Sequence, residues 1–61
     1  MTREQIARML IFLKEAAEQI DNARVVAIKA AHHPTLHNIE LLLREITWQI
    51  DRLELIHRQM P

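Results

Sequence analysis

The residues able to do chemistry are few, and three of them cluster. His32, His33 and His37 fall within six positions of one another. Neutral imidazole is the commonest metal ligand, and His33 to His37 has the i, i+4 step seen on metal-binding helices. No acid or thiol stands beside them, and Pro34 sets a helix boundary inside the group. The pattern suits a polar hairpin tip, one imidazole capping backbone groups, better than a metal centre. His33 and His37 are the candidate ligands should an ion bind, and a pH-sensitive interface is a third reading. No metal and no cofactor is expected. His57 lies too far along the chain to join them, roughly 30 Å past His37 on a continuous helix. Asp21 and Asp51 are the candidate acids, each on a charged helix face where a carboxylate is simply solvated.

Other absences narrow the chemistry further. The chain has no Gly, Cys or Tyr, and no Ser either. The commonest nucleophiles are therefore missing, as is any phosphate-cradling loop. Eight basic and eight acidic side chains are interleaved rather than grouped. Nucleic-acid binding rests on clustered Lys and Arg, so a nucleic-acid partner is not expected. The longest apolar run, Met9 to Leu13, falls far short of the ~18 residues of a membrane span. No signal peptide is visible, and a cytoplasmic, non-enzymatic protein is expected.

The elements that must position these groups are two helices. From Ile39 the steps of four and three run through Leu43, Ile46, Ile50, Leu53, His57 and Met60. Such a stripe occupies one side of a helix with a heptad-like repeat. The first half carries a matching stripe of Ile6, Leu10, Leu13, Ala17, Ile20, Arg24, Ala27 and Ala31. Thr2 and Gln5 have the spacing of a capping box, with Met1 and Ile6 placed for a hydrophobic staple. Glu4 with Arg8, Glu40 with Arg44 and Glu54 with Arg58 have the favourable acid-before-base spacing. Pro34 predicts a break. The expected bounds are helix one over about 2–32, a turn at about 33–35, and helix two over about 35–59.

A turn this short sets the helices antiparallel and side by side. The fold class is all-α, a two-helix antiparallel hairpin over the single domain 1–61. With the turn centred on His33 and Pro34, facing residues have numbers summing to about 66 or 67. Leu10 then meets His57 and Leu13 meets Leu53, with Arg24 snorkelling or pairing across an interface while Ala23 turns inward.

Two helices enclose little volume, and a domain of this size buries only about 60% of its unfolded surface. Met9, Phe12, Val26, Leu42 and Ile56 are left on a flank. Leu41, Trp48 and Leu55, spaced by sevens and flanked by Glu45 and Arg52, are left behind the second helix. These eight residues are the predicted interaction surface. Self-association covers it most simply, two hairpins dimerising into a four-helix bundle. A tryptophan with aliphatic neighbours and a charged rim also looks like a hot spot for one helical protein partner.

Thr47, Gln49, Ile50, Asp51, Arg52 and Leu53 resemble the Ser-Gln-Glu-Leu-Asp-Lys-Leu signature of small sporulation phosphatases that act on aspartyl-phosphate response regulators. Those proteins are helical hairpins too. Trp48 and Gln49 depart from the signature, standing where it has Gln and Glu. The resemblance covers about a tenth of the chain, and it implies a phosphatase-like regulator in which Asp51 takes the acid position.

Overall fold

The first helix starts where the capping signal places it. In the computed structural model, which describes residues 1–61, the Gln5 amide N–H donates to the Thr2 hydroxyl at 3.1 Å. The Thr2 N–H donates back to Gln5 Oε1 at 2.8 Å. Two backbone donors that the helix itself leaves unpaired are thus satisfied reciprocally. The helix α1 runs Arg3–Lys29, and the only other element, α2, runs His33–Gln59. The staple does not close over Met1, which stays 75% exposed, although Ile6 is buried.

The turn differs from the expected one. Helix α1 ends at Lys29, not near residue 32, and α2 opens at His33, ahead of Pro34. The bend falls on Ala31, which sits in the left-handed region at φ 53°, and on His32 at φ −95°, ψ 84°. The physical reason is hydrogen bonding. The Ala31 N–H donates to the Ile28 carbonyl at 3.0 Å and the His32 N–H to the Ala27 carbonyl at 3.2 Å. These are the paired bonds of a Schellman stop, usually built on glycine. His32 then caps α2, its Nδ1 accepting from the Thr35 N–H at 3.4 Å. Pro34 lies in the first turn, where its missing N–H removes no helical bond.

An alanine in the left-handed region costs about 1–2 kcal/mol, partly offset in any glycine variant by the entropy of a freer unfolded chain. Ala31→Gly should therefore stabilise the hairpin by about 0.5–1 kcal/mol, read as a rise of a few degrees in Tm by circular dichroism. A fall in Tm would show that the turn is not held in this conformation.

The register moves with the turn. Lys29 and His33 are equidistant from Ala31, and Arg3 Nη1 donates to the Met60 carbonyl at 3.4 Å. Facing numbers therefore sum to about 62 or 63, about one helical turn from the expected register. Leu10 lies level with Leu53, Leu13 with Ile50, Ala17 with Ile46 and Ile20 with Leu43. Lys14 reaches Glu54 at 3.1 Å across the seam. Helical side chains lean toward their own N-terminus, so in an antiparallel pair these two lean toward one another along the axis.

Both apolar stripes still face inward. Along α1, Leu13, Ala17 and Ile20 are half-buried, as are Leu43, Ile46, Ile50 and Leu53 along α2. Burial is nonetheless thin: only Ile6, Leu10 and Ala27 are enclosed, all on α1. Arg24 lies partly within the seam, and its Nε pairs with Asp21 Oδ1 at 2.8 Å in its own helix. Ala23 is exposed rather than inward. The result is a rod of 47 × 14 × 13 Å.

Candidate interaction surface

Helical geometry sorts the remaining side chains by side. The Lys14–Glu54 pair marks one flank of the hairpin as charged. The opposite flank is apolar. There α1 presents Met9, Phe12, Ala16, Ala23, Val26 and Ala30, and α2 presents Leu42 and Ile56. Phe12 is 67% exposed, Val26 66% and Leu42 57%. Met9 and Ile56 are half-buried at the base of this face rather than standing out from it.

Size changes along the face. Met9 and Phe12 stand toward the open end of the hairpin. Toward the turn the residues are small, and an open groove of about 590 Å3 lies there. Ala23, Val26, Ala27, Ala30, His32, Thr35 and Ile39 line it. Small side chains let the surface dip, and the Schellman turn closes one end.

A second apolar surface lies behind α2. Leu41, Trp48 and Leu55 point directly away from α1 and are each about half exposed. The Arg52 guanidinium lies over the Trp48 ring, 5.7 Å from its centroid, within cation–π range. On one side of this ridge run Glu45 and Arg52, on the other Arg44 and Asp51. None of these four charges takes part in an ion pair within the chain; the three ion pairs are Arg8–Glu4, Lys14–Glu54 and Arg24–Asp21. The expected Glu40–Arg44 and Glu54–Arg58 pairs are not formed, Glu54 having turned to Lys14.

Of the eight residues expected on the interaction surface, Phe12, Val26, Leu41, Leu42, Trp48 and Leu55 are exposed. Ile11, Val25 and Ile28 are exposed as well, outside the expected set. They lie off both apolar faces, on the outer and charged sides of α1, singly among Glu4, Glu18 and Lys14. Their spacing belongs to neither stripe, so no periodic signal could have found them.

His33 and His37 stand one turn apart at the start of α2, the helix boundary falling before His33 rather than between them. His32 is committed to the cap of α2, and no group of three His, Cys, Asp or Glu side chains is placed to hold a metal ion. His57 sits at the far end, its Nε2 accepting from Arg3 Nε at 3.3 Å, level with Ile6 rather than Leu10. Asp51 is exposed on the side of α2 away from the groove. No helix is long and apolar enough to cross a membrane. No protein-family model, no curated protein and no solved structure matches this chain.

Proposed function

We propose that this protein is a non-enzymatic interaction protein that acts as a self-associated helical bundle, two hairpins meeting through the groove face. The surface area is what carries the reading. A compact monomer of 7.2 kDa exposes roughly 4,100 Å2. This chain exposes 4834 Å2. The excess, about 700 Å2, approaches the ~800 Å2 that one partner contributes to a standard interface. It lies on a chain whose exposed side chains include Phe12, Val26, Leu42 and Trp48.

The size gradient supports a second copy as occupant. Phe12 lies about 20 Å along α1 from the middle of the groove, so it cannot fill the groove of its own chain. A two-fold axis crossing the helices near Gln19 brings the Phe12 of each copy to the small-residue groove of the other. Large side chains then meet small ones on both sides of the axis, as close packing requires. All neighbouring helices run antiparallel, the ordinary arrangement of a four-helix bundle.

Sedimentation of the full chain at tens of micromolar tests this. Mass at twice 7.2 kDa or above is the expected result. A single-chain mass throughout that range would overturn the reading.

A further inference from the structure

The ridge behind α2 faces away from the groove and is not used by the pairing just described. Its charges have a symmetry of their own. Glu45 lies three residues before Trp48 on one side of the ridge, and Arg52 four residues after it on the same side. On the other side the signs reverse: Arg44 lies four residues before, and Asp51 three after.

We infer that the ridge docks against the ridge of a second copy, antiparallel, with the two Trp48 side chains at the two-fold axis. Such an axis places residues of the same flank against one another, with numbers summing to about 96. Glu45 of one chain then lies one residue, about 1.5 Å, from the level of Arg52 in the other. Arg44 and Asp51 match on the opposite flank with the same offset. Leu41 meets Leu55. Each of the four charges occurs twice in the pair, so four ion pairs form from side chains that have no ion partner inside the chain. An isologous interface demands this self-complementarity, and two antiparallel α2 helices also oppose their dipoles. The inference stands apart from the groove-face pairing; with both, the chain carries two isologous faces and assembles beyond a dimer.

Charge reversal with rescue is the test, made in a Phe12→Asp background so that the groove face is out of play. The single tryptophan reports the ridge directly, because Trp48 is 55% exposed in the lone chain and is covered when ridges meet. Association should appear by sedimentation, with a blue shift of tryptophan emission as concentration rises. Glu45→Arg sets like charges together twice per pair and should raise the dissociation constant about tenfold or more. Glu45→Arg with Arg52→Glu should return it to within about threefold and restore the blue shift. In a parallel pair the opposite flanks face each other, so the same double change sets a new positive charge against Arg44 and no rescue follows. Nor does it follow if a different protein is the natural occupant. Loss of rescue, indifference to Glu45→Arg, or a Phe12→Asp chain that stays single up to about 1 mM would each overturn the inference. Failure of the groove reading shows separately, as a Phe12→Asp chain with the mass of the wild type.

Discussion

Phe12→Asp is expected to lower the mass of the assembly without unfolding the hairpin. Phe12 is 67% exposed in the single chain, so the fold of that chain gains little from it. In the proposed pairing its burial comes from the second copy. Burying a phenylalanine contributes about 2 kcal/mol. A two-fold interface uses the residue twice, so the pair loses about 4 kcal/mol, a weakening of about a thousandfold. The aspartate adds to this, because an unpaired carboxylate resists burial against alanines. Helicity by circular dichroism should hold for the substituted chain at matched concentration, while sedimentation shows the loss of mass. Val26→Asp, in the groove that would receive the ring, should act in the same direction. An unchanged dissociation constant for both variants would place the interface elsewhere.

Much of this architecture is legible from spacing alone, and the part that is not has a definite physical origin. The stripes through Ile6 to Ala27 and Leu36 to Met60 are the residues that turn inward. The Thr2–Gln5 box starts α1 at the expected residue. The register expected from the sequence is off by about one turn because a stripe with steps of three and four looks the same after a slip of one turn. Leu13 is as acceptable against Ile50 as against Leu53. Only the turn breaks that degeneracy, and the turn is built on an alanine in a conformation that glycine usually marks. Without a glycine at position 31, Pro34 is the strongest local signal, and it points three residues too late. One ion pair fails for a different reason. Spacing matches Glu54 to Arg58 within its helix, but Lys14 and Glu54 lean toward each other across the seam, and the cross-helix pair forms instead. The groove needs the structure as well. Ala23 reads as an inward residue while Arg24 snorkels, yet Arg24 finds Asp21 on its own helix and keeps its place, leaving Ala23 to line an open surface.

The thin core makes a second large effect separable from assembly. Ile6 is 1% exposed, the only large side chain so fully enclosed, and it lies at the open end, level with His57. Ile6→Ala should cost about 2–4 kcal/mol, the lost transfer energy plus a cavity the short first turns cannot collapse around. Domains this small have few kcal/mol in reserve, so a substantial fraction of the chain should unfold at 25 °C in dilute solution. Ile46→Ala supplies the comparison. Ile46 belongs to the same seam but is half-buried in the lone hairpin. If the hairpin were the whole folded unit, its truncation would cost clearly less, about 1–2 kcal/mol, at every concentration. In the proposed bundle the second copy would cover the middle of the seam, so the loss for Ile46→Ala should grow with protein concentration and approach that of Ile6→Ala. Urea unfolding at two concentrations a hundredfold apart measures both. Linkage requires the wild-type midpoint to rise with concentration if assembly stabilises the fold. A midpoint that stays fixed, with Ile46→Ala mild throughout, would mean that these two helices hold together unaided.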